Sequence, residues 1–121
     1  KIFFVNRVPY TQLLSITKQA DVGCLFVKPV SISNTLALPN KLFEYALCGI
    51  PSLASHLPNI DYFMKKYGLG KTVNINSMQD VVVGANALLK TTNKEKIRET
   101  TLKYCSWKSQ TKHFIRFIDN G

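Results

Sequence analysis

The sequence predicts an α/β fold, a Rossmann-like parallel sheet of about four short strands flanked by helices. Two observations carry this reading. Short apolar runs alternate with stretches whose apolar residues recur at helical spacing, in the order β-α-β-α-β-α-β-α-α-α. The run Val22 to Val27 is apolar without alternation, which suits a strand covered on both faces.

Each element has its own signals. Ile2 to Val8 is largely apolar and β-rich, reads as a strand, and is broken by Pro9. Tyr10 to Ala20 places Leu13, Leu14, Ile16 and Ala20 at helical spacing, with Thr11 available as a cap. Asp21 ends that helix and the Val22 to Val27 strand follows. Lys28 to Leu38, with Pro29, Ser31, Ser33, Asn34 and Thr35, reads as a loop. Pro39 suits a helix start, where its missing N–H costs nothing, and Lys41 to Cys48 is a short helix. Gly49 and Pro51 stop it. Ser52 to Ser55 is a strand, and Asn59 caps a helix running to Tyr67. Gly68-Leu69-Gly70 turns the chain into a strand over Lys71 to Ile75. Ser77 caps Met78 to Leu89, whose stripe is Val81, Val82, Ala85, Leu88 and Leu89. Lys94 to Lys103 is a polar helix, and Lys108 to Ile118 is a last one with Phe114, Ile115, Phe117 and Ile118 as its stripe.

A chain of 121 residues, 45% hydrophobic, fits one domain with a core of its own and is too apolar for a disordered segment. Its apolar runs fall far short of a membrane span, and Lys1 to Tyr10 does not read as a signal peptide. The three cysteines, Cys24, Cys48 and Cys105, are far apart and odd in number, which argues against a zinc site or a disulfide framework. They read as small buried hydrophobes in a chain suited to the reducing cytoplasm. The net charge of +9 attracts polyanions: nucleic acid, acidic membrane or phosphorylated small molecules. Residues 90–121 hold half of the basic side chains, a basic helical tail that reads as a solvated face or a binding surface.

In α/β sheets ligands bind outside the carboxyl ends of the strands. The loop Lys28 to Leu38 leads from such an end into a helix N-terminus. Lys41 in the first turn opposes the helix dipole unless an anion is bound there. The N–H groups of Asn40 and Lys41 with the Lys41 ammonium would cradle a phosphate. Glu44, one turn on, could accept hydrogen bonds from a vicinal diol such as a ribose. The residues alone also allow an ordinary amphipathic helix, with Leu42, Phe43, Ala46 and Leu47 inward and Lys41–Glu44 as a surface pair.

The segment Pro39, Lys41, Glu44, Tyr45, Ala46, Gly49, Pro51 resembles the nucleotide-sugar-binding stretch of GT-B-fold glycosyltransferases of the family 4, or group 1, type. Their C-terminal domains carry a P-x-K-x-x-E-Y-A-x-x-G-x-P pattern before a short strand. Val8-Pro9-Tyr10 followed by Leu13 or Leu14, Ala20-Asp21-Val22-Gly23 and Tyr104-Cys105-Ser106-Trp107 are similar to that family's flanking segments, in the same order. The resemblance covers nearly the whole chain. It implies that residues 1–121 are a donor-binding fragment, the incomplete C-terminal half of a GT-B fold. The first strands of that domain and the N-terminal acceptor domain would be absent, and the fragment alone inert. It implies a parent hexosyltransferase-type enzyme that transfers sugar with retention from a nucleotide-diphosphate donor, in cell-surface polysaccharide or glycan synthesis. Glu44 is similar to the family's ribose-contacting second glutamate of an E-x7-E pair. The first glutamate falls on Leu36, a departure that leaves its role to Ser33, Asn34 or the backbone N–H groups of Thr35 to Leu38. The donor-binding set is thus Ser33, Asn34, Leu38, Asn40, Lys41 and Glu44, with no catalytic residue, metal or cofactor assigned.

Several features point elsewhere. Gly68-Leu69-Gly70-Lys71-Thr72 imitates a P-loop end, but Lys65 stands where a glycine is needed and the strand follows rather than precedes. His56 lies at a cleft edge, though a loop histidine is usually solvated, and His113 reads the same way. Trp107 reads as a core anchor for the last helix. The rival class is a basic nucleic-acid-binding module, against which Phe114 and Phe117 fall on the apolar stripe rather than between the cations. Peripheral contact of the basic tail with an anionic membrane surface is compatible with the transferase reading. An uncovered sheet edge predicts self-association into a homodimer.

Overall fold

A computed structural model of the chain describes residues 1–119. It is an α/β structure with one three-stranded parallel sheet flanked by helices. The strands are β1 (Gly23–Leu25), β2 (Ser52–Ser55) and β3 (Gly70–Val73), in that spatial order. Gly23 pairs with Ser52, and Ser52 with Gly70. The helices are α1 (Tyr10–Thr17), α2 (Ile32–Thr35), α3 (Asn40–Leu47), α4 (Pro58–Tyr67), α5 (Met78–Thr91), α6 (Lys94–Tyr104) and α7 (Trp107–Asp119).

The expected fourth strand over Ile2 to Val8 does not form. The segment lies in no strand, and Phe4 is 95% exposed. β-propensity needs a neighbour to pair with, and β1 and β3 are the only edges among the described residues. α1 ends at Thr17, earlier than the expected Ala20, and Pro9 rather than Thr11 stands at its N-cap.

Two cores sandwich the sheet. On one face Leu25 and Ala54 meet Leu42 and Ala46 of α3, Ile60 and Met64 of α4, and Ile97 of α6. On the other, Leu53 and Val73 meet Leu88 of α5, with Val81 and Ala85 beside it. All four residues of β2 are buried, as expected of a central parallel strand. β1 departs from that expectation, because Cys24 is exposed, as is Phe26 just beyond the strand. α5 lies over β2 and β3, which leaves that face of β1 uncovered. Leu47 of α3 and Val82 and Leu89 of α5, expected inward, are exposed.

The start and stop signals explain the boundaries. Gly49 ends α3 at φ 74, in the left-handed region. A Cβ there would meet the Lys94 carbonyl at the start of α6. Ser77 caps α5 by accepting from the Asp80 N–H at 3.2 Å. α4 starts at Pro58 with Leu57 as its N-cap, so Asn59 is freed for another use. Phe43, Phe63, Tyr67 and Tyr104 form a ring chain that joins α3, α4 and α6.

The readings of four residues are corrected. Trp107 is no core anchor: it is 78% exposed, and α7 has no buried residue. Cys24 is exposed and Cys48 and Cys105 are half-buried, so none is a fully buried hydrophobe. All three are free thiols, and burial pushes those of Cys48 and Cys105 up. No helix among the described residues is long and apolar enough to cross a membrane.

Candidate functional site at the carboxyl ends of the strands

α3 runs back from the carboxyl end of β1 to the amino end of β2, so its N-terminus lies at the carboxyl edge of the sheet. The helix is seated on β1 by Tyr45. The ring packs over Gly23, where any Cβ would drive into it, and the hydroxyl donates to the Cys24 carbonyl through a long 3.4 Å bond. Burial raises the Tyr45 pKa, and the neighbouring Cys24 and Glu44 add to the rise. The phenol therefore stays a neutral donor.

The predicted site residues divide into two groups. Asn40 and Lys41 are exposed in the first turn of α3, whose N-cap, Pro39, provides no side-chain cap. Glu44 is half-buried one turn on. Lys41 and Glu44 form no ion pair with each other, so the surface pair allowed by the sequence is not made. Asn40, Lys41 and Glu44 thus present two free N–H groups, an ammonium and a carboxylate along one end of a helix.

The second group is spent on local structure. Residues 32–35, expected as loop, form α2, with Ser31 accepting from the Asn34 N–H at 3.1 Å. The Asn34 side-chain amide donates to the Lys28 carbonyl at 3.3 Å. The N–H groups of Thr35, Leu36 and Ala37 bond to Ser31, Ile32 and Asn34 carbonyls. Those three amides, among the alternatives offered for the missing glutamate, are engaged within the segment. Leu38 packs its side chain against the core. Of Ser33, Asn34 and Leu38, Ser33 alone is exposed. The segment is tied down by Asn59, whose amide donates to the Leu36 carbonyl at 2.6 Å.

Beside this segment, two clefts open over the ends of the strands. One of about 580 Å³ runs from Val27, Lys28 and Pro29 to Asn74 and Asn76, with His56 in its lining. The other, about 390 Å³, shares His56 and Asn74 and adds Lys71 and Asp80. His56 Nδ1 is 2.7 Å from Asp61 Oδ2, a pair the sequence reading missed. Its signal was a histidine just before a proline-started helix with an acid in the first turn. No cluster of three or more His, Cys, Asp and Glu suited to a metal exists among the described residues.

Comparison with family models, curated proteins and solved structures finds no match.

Proposed function

We propose that the chain binds the nucleotide-diphosphate part of a sugar donor, as the donor half of a retaining GT-B-type glycosyltransferase with a Rossmann-like sheet. The observation that supports it is the uncapped N-terminus of α3 at the carboxyl edge, with Lys41 exposed and Glu44 unpaired one turn on. The diphosphate accepts from the Asn40 and Lys41 N–H groups and from the Lys41 ammonium. Glu44 accepts from the ribose hydroxyls. As sugar transfer proceeds, negative charge builds on the leaving diphosphate. The helix end and Lys41 stabilise it, a preorganised electrostatic contribution rather than acid–base chemistry. Asn34 and Leu38 act through the fold of the loop, and Ser33 is left as the one polar side chain of α2 that faces solvent.

The test is calorimetric titration of the chain with a panel of nucleoside diphosphates. Lys41→Ala and Glu44→Ala should each weaken the binding that is found by about tenfold, the worth of one charge-assisted contact. Affinity unchanged from that of the unsubstituted chain in both variants would leave α3 a scaffold.

A second reading, contact with an anionic membrane surface, is favoured by α7. At 100° per residue Trp107, Phe114, Phe117 and Ile118 fall on one side, and Lys108, Lys112 and Arg116 on the other. Phe114 and Phe117, read from sequence as part of a covered stripe, are exposed. They lie opposite the cations rather than among them, an arrangement that suits a lipid surface better than stacked bases. Co-sedimentation with phosphatidylserine vesicles, lost in Phe117→Asp, would support it. Equal partition to phosphatidylserine and phosphatidylcholine would count against it.

A further inference from the structure

The clefts over the strand ends contain chemistry that the α3 reading does not use. His56 stands at the carboxyl end of β2, the central strand, and lines both clefts. Its Nδ1 is held by Asp61 Oδ2 at 2.7 Å. The other carboxylate oxygen, Oδ1, is buried without a hydrogen-bond partner, so Asp61 is committed to this one imidazole. Nδ1 therefore carries a proton, and Nε2 is the working nitrogen. The His56 side chain is 71% exposed, and Nε2 has no partner among the described residues.

The larger cleft has a consistent character. Lys28 and His56 are its only basic groups and it has no carboxylate in its lining. Val27, Val73 and Ile75 supply an apolar wall. Its shape is fixed from below: the Ser55 hydroxyl accepts from the Val27 N–H at 2.7 Å, which fastens the end of β1 to the end of β2. Opposite, the Asn74 side chain accepts from the Asn76 N–H at 3.0 Å and sets the turn after β3. A cavity of about 580 Å³ is of the size that holds a small organic ligand.

We propose that this cleft binds a small organic phosphate, its phosphoryl group between His56 Nε2 and the Lys28 ammonium and its apolar part against Val27, Val73 and Ile75. Nε2 meets the phosphate through one shared proton. It donates to a dianion as imidazolium, or accepts from the P–OH of a monoanion as neutral imidazole. Asp61 is a positioning residue that fixes which ring nitrogen faces the ligand. The proposal does not depend on α3 binding a nucleotide.

The experiment is a nuclear magnetic resonance titration of the whole chain with phenyl phosphate, with inorganic phosphate and benzyl alcohol as comparisons. Phenyl phosphate should shift the His56 ring and the Asn74 and Asn76 amides saturably. It should bind about tenfold tighter than inorganic phosphate, because burying part of a ring adds that much. Benzyl alcohol should leave the His56 ring signals in place. His56→Ala and Lys28→Ala should each weaken phenyl phosphate by about tenfold, and Lys41→Ala should leave it unchanged. In Asp61→Asn the ring nitrogen signals of His56 should move toward a mixture of tautomers. Absence of saturable shifts, affinity in the His56 and Lys28 variants unchanged from that of the unsubstituted chain, or loss in Lys41→Ala alone would overturn the proposal. The last outcome would assign the anion to α3 instead.

Discussion

Strand β2 and helix α7 both carry apolar residues, and they end in opposite environments. Every residue of β2 is buried between two helical layers, whereas α7 shows Trp107, Phe114, Ile115, Phe117 and Ile118 to solvent. The N-terminal segment behaves like α7, with Ile2, Phe3, Phe4 and Val5 all exposed. The difference is the floor. Residues 23–101 fold around a sheet that offers two faces. The two ends of the chain have apolar faces and nothing in the described residues to set them against. An apolar stripe records that a face wants covering, and its burial depends on the rest of the fold.

Three measurements break or sharpen this contrast. The largest effect is expected in the central layer. Leu42→Ala, at a fully buried position, should cost about 2–5 kcal/mol in chemical denaturation. Phe117→Ala, at an 80% exposed position, should change stability by no more than about 0.5 kcal/mol. Similar losses from both would mean that α7 is covered in solution. Next comes Gly49→Ala. The left-handed φ and the Lys94 carbonyl, 2.6 Å from a new Cβ, should together cost about 2 kcal/mol. A neutral result would mean that α6 can move away from α3. The smallest effect is chemical and needs no mutation. With iodoacetamide at neutral pH, exposed Cys24 should be alkylated first. Cys48 and Cys105, whose raised pKa leaves less thiolate, should follow more slowly, and the gap should narrow as pH rises. Mass spectrometry of partial digests reads the order, and faster labelling of Cys48 would show that α1 and α3 separate.

Much of the central layer was legible because its signals are local. Gly49 and Pro51 closed α3, Ser77 capped α5, and the run Ser52 to Ser55 became the central strand. The rest depended on distance. α2 is four residues long, too short for a periodic pattern, and appears only because Ser31 accepts from the Asn34 N–H. The β-rich residues 2–8 read as a strand, since composition carries no information about a missing neighbour. Trp107 was misplaced on the same ground: a large ring at a helix start looks like an anchor wherever a core exists to receive it. At the candidate site, Asn40, Lys41 and Glu44 lie at a helix end, where position follows from sequence. The His56–Asp61 pair, in contrast, needs the geometry of the β2–α4 turn before the two side chains can meet.

Lys94 has a consequence for how the molecule is made. Its ammonium donates to the Ala20 carbonyl at 2.9 Å and to Asp21 Oδ1 at 3.0 Å, so the first residue of α6 fastens the approach to β1 across more than seventy residues of chain. α6 also supplies Ile97 to the core beneath α3 and α4. As the polypeptide leaves the ribosome, β1, β2, β3 and five helices precede α6. Until it emerges, the sides of α3 and α4 that α6 packs against stay open to chaperones or to another nascent chain. A helix synthesised after all three strands thus closes a face whose other components were made earlier.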